Sequence, residues 1–551
     1  MAAPPGKPVR IKLIYPPPVK DLVLPYGLGV LAAFLRENGC SVDIEDLSLD
    51  LSSPIHPENL FSRGVVPQSI PAIHEYILDR AAAPLTRQLD RLGERAVKGL
   101  NIHGYALTGF SVFSRHQIYP ALLLAKWIKR ANSGARIIFG GAYVTKHWER
   151  FFETAVFIDH VSVGAGEPVM LKFLEYLRGD SEVSEVPGLG YRRRGRARLN
   201  PVSPFPVENE RAPDFSGLAL DAYKVSIDGE RRLLLPYLLS SGCVHNCHFC
   251  ALRGPGGRFE VKSLEKIISD LKSLTEKYQT KYINFCDLTL NFSRPFMERF
   301  CAALTGADLG LLWGGLGAVD DSDDGLFSRM SGAGCRFLQL GVESGSDALL
   351  KRMGKAHTAK GASLALKRAH GAGIRSFVFF VAGYPHETAA DVGLTAGFIK
   401  DNAAYMDFAV VSTYKLAHGS PMCANPGDFG LCNTRCPEPY LNIDFSRFDE
   451  VGGLEWGEKT AQAGHSYRLL YRAVYRKVLS KVYFNGLVPF RLFLFLKERA
   501  LANGYFPAML NLLVSLISRT GRGVKHKHDS FSFLYQAPGR AKRTARFFPG
   551  L

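Results

Sequence analysis

No stretch of this chain is long and apolar enough to cross a bilayer: the longest apolar run, around Phe506–Ile517, falls well short of the roughly 20 residues a spanning helix needs. Residues Met1 to Pro8 carry none of the charged-then-apolar pattern of an export leader. Short tandem repeats and low-complexity segments are missing, which argues against solenoids and disordered tracts. Acidic residues are in deficit, 51 against 68 Lys plus Arg, for a formal charge of +17. That surplus suits an anionic partner such as nucleic acid, a membrane surface or a phosphorylated substrate. Clusters such as Arg192-Arg193-Arg194 and the tail Lys525 to Arg546 read more simply as solvated loops, so no nucleic-acid partner is expected. Ten cysteines without an export signal do not suggest a disulfide framework; close spacing among them favours metal binding or catalysis. The expectation is a cytoplasmic protein.

At 551 residues, 46% hydrophobic, the chain folds as two or three domains. The first part alternates strands and helices. Strands are expected at Val9 to Tyr15, Ser41 to Leu47, Tyr105 to Phe110, Ala135 to Phe139 and Asp159 to Val163, with helices at Gly27 to Asn38, Pro120 to Arg130 and Pro168 to Leu177. This alternation predicts a parallel, doubly wound α/β sheet over residues 1–180, with a mainly helical insertion at about 50–100. Residues 181–230, rich in Pro, Arg and Gly, read as a linker. A second series follows, with strands at Leu234 to Leu239, Tyr282 to Cys286, Leu311 to Ala318, Arg336 to Gly341, Ser376 to Ala382 and Phe408 to Thr413. Six such repeats make an incomplete barrel over 231–425, with active residues on the loops after the strands. Residues 426–551 read as a mainly helical C-terminal domain. Its stretch Leu487 to Ile517 could lie on a membrane surface, though a buried helical pair accounts for it equally.

The chemistry concentrates in Ser240-Ser241-Gly242-Cys243-Val244-His245-Asn246-Cys247-His248-Phe249-Cys250, just after the first barrel strand. Three thiolates within eight residues can wrap one soft metal or cluster. An ordinary four-iron site takes four Cys, and no fourth lies nearby, so one iron would stay open to a substrate or cofactor. The alternative is zinc, with His245 or His248 completing the set; zinc sites usually join two separated ligand pairs, which a compact triplet fits poorly.

The Cys-x3-Cys-x2-Cys spacing, with an aromatic before the last Cys, resembles the signature of the radical SAM superfamily. The resemblance implies that Cys243, Cys247 and Cys250 hold a [4Fe-4S] cluster whose open iron chelates S-adenosylmethionine (SAM), with Phe249 against the adenine. Gly341-Val342-Glu343-Ser344-Gly345-Ser346 and Val381-Ala382-Gly383-Tyr384-Pro385-His386-Glu387-Thr388 resemble the family's fourth- and fifth-strand motifs, making Glu343, Ser344 and Gly383 SAM contacts. Asp287 stands where many relatives carry Gly-Gly-Glu; it is either a further SAM contact or a strand-end cap.

The first domain resembles the cobalamin-binding domain fused to a large radical SAM subgroup. The matching stretches are Leu24-Pro25-Tyr26-Gly27-Leu28-Gly29, Gly109-Phe110-Ser111, Phe139-Gly140-Gly141 and Gly164-Ala165-Gly166-Glu167. Pro25, Tyr26, Gly27, Ser111, Gly140, Gly141, Gly164, Gly166 and Glu167 are the implied cobalamin contacts. No Asp-x-His-x-x-Gly motif follows the first strand, so no cobalt-ligating His is expected. The subgroup's chemistry implies C-methylation of an unactivated carbon through a 5′-deoxyadenosyl radical and methylcobalamin. The substrate would be a small molecule or peptide, and the electron would come from a donor such as flavodoxin or ferredoxin. No side-chain acid or base is nominated. Rivals are a cobalamin-dependent cyclase or rearrangement enzyme, a methylthiotransferase, and a non-catalytic cobalamin or Fe–S sensor. The methylthiotransferase would need further cysteines in the first domain, where only Cys40 stands. Cys423, Cys432 and Cys436 are either an auxiliary cluster site or ordinary loop cysteines.

Overall fold

The computed structural model describes residues 8–17, 23–49, 70–227, 230–252, 258–319, 325–435, 441 and 445–476. The expected helices beyond residue 476, the basic tail and Cys436 lie outside the described residues.

Apolar strands with helices between them build the first sheet. β1 (Arg10–Tyr15), β2 (Ser41–Asp46), β3 (Leu107–Ser111), β4 (Ile137–Gly140) and β5 (His160–Ser162) are parallel, in the order β2-β1-β3-β4-β5. Successive residues feed opposite faces. Leu13 and Ile138 join a core with Leu28, Leu35, Met170 and Phe173, from the helices Tyr26–Glu37 and Gly166–Arg178. Ile14 and Phe139 join the other core, against the helices Ile118–Ala131 and Ala142–Thr154. The sheet is therefore doubly wound, and its strand order reverses between β1 and β3. Ligands of such sheets bind beyond the carboxyl ends of the strands at that switch point. Helices Ile70–Ile77 and Ala83–Leu100 occupy the described part of the insertion.

Two features depart from the sequence reading. The segment read as a linker carries the hairpin β6 (Leu189–Arg193) and β7 (Arg196–Leu199), which extends the first sheet antiparallel to β5. Arg192, expected in a solvated run, donates to the Phe152, Ala155 and Ile158 carbonyls at 2.5, 3.1 and 2.7 Å. It thereby satisfies carbonyls at the end of the helix Ala142–Thr154, a position that favours a cation. The region past 425 is also less helical than expected. β17 (Leu416–Ala417), β18 (Leu431–Arg435) and β19 (Phe445–Glu450) form a small antiparallel sheet, and the helix Trp456–Val474 packs on the barrel.

The second sheet follows the expected plan. β8 (Lys224–Ile227) leads antiparallel into β9 (Glu230–Tyr237). The short pair β10 (Ser240–Ser241) and β11 (Glu260–Val261) brackets the cysteine loop. β12 (Tyr282–Phe285), β13 (Leu312–Gly317), β14 (Cys335–Glu343), β15 (Arg375–Ala382) and β16 (Phe408–Thr413) then continue in parallel from β9, in simple sequential order. Six parallel strands in that order make the curled sheet of a half barrel. No helix among the described residues is long and apolar enough to cross a membrane.

Candidate active site

The cysteine loop leaves β10 at Gly242, whose φ of +87° suits glycine; a Cβ there would sit 2.3 Å from the Arg258 carbonyl oxygen. Cys243, Cys247 and Cys250 are half-buried free thiols on this one loop. Two carry backbone donors: His245 N–H to Cys243 Sγ at 3.5 Å and Leu252 N–H to Cys250 Sγ at 3.4 Å. Thr289 Oγ1 is 3.6 Å from Cys243 Sγ. Hydrogen bonds of this kind tune cluster-bound thiolates. Burial pushes the Cys247 thiol up, while the Lys355 ammonium pulls it down. Among the described residues, no three His, Cys, Asp or Glu side chains gather about one point as a single metal ion would need.

His248 has another job. Its Nδ1 is 2.9 Å from the Arg352 carbonyl oxygen, its N–H donates to Met353, and its ring lies against Phe429. It ties the loop to the turn after β14. His245 Nε2 is buried with no hydrogen-bond partner, and burial lowers that ring's pKa, with Lys355 adding to the effect.

The fourth-strand motif is held under tension. Glu343 adopts φ +67° although it is not glycine, a backbone state that persists only where its surroundings enforce it. Its carboxylate pairs with Lys355 at 2.9 Å, and the Lys355 ammonium lies 5.6 Å from the centre of the Phe249 ring. Phe249 also meets Tyr384 edge-on. Lys355 is absent from the sequence reading; its signal was a lone Lys three residues past the helix Asp347–Arg352. Ser344 is fully buried and its hydroxyl is 2.9 Å from Thr395 Oγ1 while accepting from Ser346 N–H, so it braces the motif internally. Gly383, at φ +76°, receives Ala463 so closely that a Cβ would lie 2.3 Å from the alanine Cβ. Its N–H donates to Glu387. Asp287, only 2% exposed, accepts from Leu239 N–H at 3.0 Å and from both the Ser240 N–H and hydroxyl at 2.6 Å. Burial lifts its pKa to about 6 against the pull of those donors. This geometry is that of a strand-end cap holding the base of the cysteine loop.

The cobalamin contacts implied for the first domain lie at or beyond the carboxyl ends of its parallel strands. Pro25, Tyr26 and Gly27 follow β1, and Ser111 ends β3. Gly140 and Gly141 end β4; Gly164, Gly166 and Glu167 follow β5. A Cβ at Gly27 would meet nothing within 4 Å, leaving open room at the crevice. Gly141, by contrast, is fixed by its φ of +99° and by the Val112 carbonyl, 2.6 Å from where a Cβ would stand. Glu167 is 7% exposed, and burial raises its pKa to about 7. Phe113, just past β3, is 66% exposed.

The cysteine loop touches the first domain. Lys146, on the helix after Gly141, donates to the Ala251 carbonyl, one residue past Cys250, at 3.0 Å.

Residues 237–399 match the model of the radical SAM superfamily. They are a radical SAM domain. The chain is 28% identical over 304 residues to an uncharacterized methyltransferase of Pyrococcus horikoshii, covering 54% of this chain and 65% of that protein. It is 25% identical over 292 residues to the anaerobic magnesium-protoporphyrin IX monomethyl ester cyclase of Rubrivivax gelatinosus, covering 52% of each. The chain thus spans less than two-thirds of these curated relatives. Among solved structures, the radical S-adenosylmethionine methyltransferase TsrM of Kitasatospora setae, with cobalamin and a [4Fe-4S] cluster bound, matches with a TM-score of 0.60 at 15% identity. That match covers 86% of this chain and 90% of that one. The cobalamin-dependent S-adenosylmethionine radical enzyme OxsB, with aqua-cobalamin bound, gives 0.60 at 15%, covering 81% and 65%. The chain accordingly shares the fold of these two cobalamin-bound enzymes.

Proposed function

We propose that the protein is a cytoplasmic, cobalamin-dependent radical SAM enzyme that methylates an unactivated carbon of a small-molecule or peptide substrate. The observation that carries this reading is the contact of the cysteine loop with the first domain, Lys146 to the Ala251 carbonyl beside Cys250. Cys243, Cys247 and Cys250 would hold the cluster. Phe249, Asp287, Glu343, Ser344 and Gly383 would stand at the SAM side, with Asp287, Ser344 and Gly383 acting through the backbone they brace. Pro25, Tyr26, Gly27, Ser111, Gly140, Gly141, Gly164, Gly166 and Glu167 would line the cobalamin side. Bound together, these groups supply an adenosyl radical that removes hydrogen from carbon and a methyl group that replaces it.

The chain's own part is positioning and exclusion of water. Backbone N–H groups at His245 and Leu252 stabilise thiolate charge. The Glu343–Lys355 pair adds no net charge beside the loop. A pocket between the two domains would keep a carbon radical from side reactions. A reducing compartment and a one-electron donor such as flavodoxin or ferredoxin complete the requirement. A cyclase or rearrangement output on the same scaffold is the second reading, supported by the similarity to the Rubrivivax gelatinosus cyclase.

Anaerobic reconstitution, then incubation with SAM, hydroxocobalamin and dithionite, tests the reading. Cluster loading of about four irons per chain, retained cobalamin absorbance and 5′-deoxyadenosine are expected. Cys247→Ala abolishes the nucleoside. An intact cluster that yields no nucleoside refutes the radical assignment. A methylated product excludes the cyclase reading, and a ring-closed product without methyl gain establishes it.

A further inference from the structure

Lys262 is a cation shut away from solvent, its side chain 0% exposed. Its ammonium lies 3.1 Å from Glu210 Oε2 and 3.3 Å from the Tyr26 hydroxyl, which itself donates to Glu210 Oε2 at 3.0 Å. The Tyr237 ring caps the ammonium at 4.5 Å. These groups come from three separate pieces of chain. Tyr26 opens the helix at the switch point of the first sheet. Glu210 lies on the connector between domains. Lys262 directly follows β11 and donates its N–H to the Leu239 carbonyl at 2.9 Å. Because β11 pairs with β10, Ser240 opposite Val261, Lys262 is rigidly tied to the strand that delivers Gly242 and Cys243. The connector is sewn along the same strand: Val207 N–H donates to Glu260, and Ser263 donates to Glu208 through N–H and hydroxyl at 2.7 and 2.6 Å.

A buried ion pair of this kind adds little net stability; its better-attested use is to specify one arrangement among several. Here the arrangement is that of the cysteine loop relative to the first domain. Under the proposed function, one substrate carbon must meet a radical source on the barrel and a methyl source on the first domain. A displacement of about 1 Å in such a geometry costs on the order of a hundredfold in rate.

We propose that Lys262, through Glu210 and Tyr26, is a positioning residue that sets the spacing between the cysteine loop and the cobalamin side of the site. The inference rests on the cobalamin reading only for its consequence in catalysis; the clamp itself joins residues of this chain.

The test uses the full chain with reduced cluster and cob(II)alamin. Cluster-induced relaxation enhancement of the cob(II)alamin EPR signal reports the distance between the two centres. Wild-type protein is expected to give one narrow distance. The charge-balanced K262M/E210Q protein, which leaves no buried charge unpaired, is expected to keep its iron and cobalamin but give a shifted or much broader distribution. Y26F, which leaves the ion pair in place, is expected to fall between them. An unchanged distribution in the double variant overturns the proposal. If wild-type protein binds no cobalamin, the functional reading fails by itself, and amide hydrogen exchange on the cluster-loaded chain decides the clamp. Exchange faster by about tenfold or more in K262M/E210Q, at both Leu24–Gly29 and Leu239–Gly242, upholds it. Acceleration at only one of these segments, or at neither, overturns it.

Discussion

Replacing Asp287 separates two roles that its place in the sequence left open. The Asp287 carboxylate holds Leu239 N–H, Ser240 N–H and the Ser240 hydroxyl. Leu239 and Ser240 are almost wholly buried, so their amides have no water to turn to in Asp287→Ala. The hydroxyl can rotate to another acceptor; the two amides cannot. Each orphaned amide costs about 1–3 kcal/mol. Against this stands relief from burying a carboxylate whose pKa has been driven to about 6. Two amides cost about 4 kcal/mol and the relief returns about 3, so the net loss comes to about 1 kcal/mol. Asp287→Asn keeps the shape and one acceptor oxygen but turns an NH2 towards an amide donor, and so loses about half as much. Urea unfolding followed by tryptophan fluorescence measures the loss, and iron per chain after reconstitution measures its effect on the loop. Asp287→Ala is expected to lower both. A midpoint equal to wild type with full iron refutes the bracing argument. Full stability and full iron together with failure to bind SAM would show instead that the carboxylate touches the cofactor.

Glu167 makes the apo protein's stability pH-dependent. The native carboxyl keeps its proton to about pH 7, whereas the unfolded one releases it near 4.5. Native protein binds more protons in that window, so stability falls as pH rises through it, by about 3 kcal/mol, and is flat above. Glu167→Gln removes this slope in denaturation series run from pH 4.5 to 8; a slope identical to wild type contradicts the assignment. Gly383→Ala sets a methyl into Ala463 at a positive φ and costs about 3 kcal/mol or more. Gly393→Ala, exposed on the helix Ala389–Asn402 with nothing within 4 Å, gains about 0.5–1 kcal/mol. Thermal midpoints moving in the same direction for both contradict the packing. Lys355→Met strands the buried Glu343 charge and costs about 3–5 kcal/mol, most of it recovered in K355M/E343Q. A double variant no more stable than the single one shows that the pair is not coupled.

All six parallel strands of the half barrel were legible because their residues are mostly apolar on both faces, one face buried and the other largely half-buried, so they read as continuous apolar runs. The boundaries moved by a few residues; β9 starts at Glu230, earlier than the Leu234 the sequence suggested, because its exposed Arg231 and Arg232 look like loop. The helix Ala142–Thr154 was not predicted. Its periodicity is broken at His147, where φ is −129° and the helix kinks. β19 escaped for a different reason: its inward residues are Ser446, Phe448 and Glu450, so the buried face is mostly polar and the alternation carries no hydrophobic signal. Glu450 is tolerated there because Lys459 pairs with it at 2.8 Å and His386 N–H donates to it at 2.7 Å. Within the site, motif residues could be placed in order along the chain. What could not be read was which of them face the cavity. Ser344 and Asp287 look like cofactor contacts as letters, yet their oxygens are engaged by neighbouring backbone and hydroxyls.

The buried lysines have a structural use that the charge balance does not reveal. Lys12 donates to the Leu100 carbonyl at 2.5 Å and pairs with Glu45 at 2.9 Å. Lys126 reaches the Tyr76 and Ile77 carbonyls at 2.6 and 2.9 Å and Asp79 at 2.7 Å. Lys459 joins Glu450 to the Tyr384 carbonyl at 2.7 Å. With Lys262 and Lys355, these lysines each tie a carboxylate to backbone or hydroxyl groups distant in sequence. A lysine stem can pack along apolar surface while its ammonium satisfies several acceptors at once, which suits the junctions between elements where carbonyls end unpaired. These lysines answer to the fold, and because each is matched by a carboxylate the formal surplus of +17 lies in other residues. Because a buried pair contributes so little net energy, what these five lysines confer is register. That property matters most at Lys262, where the register concerned is that of the cysteine loop against the first domain.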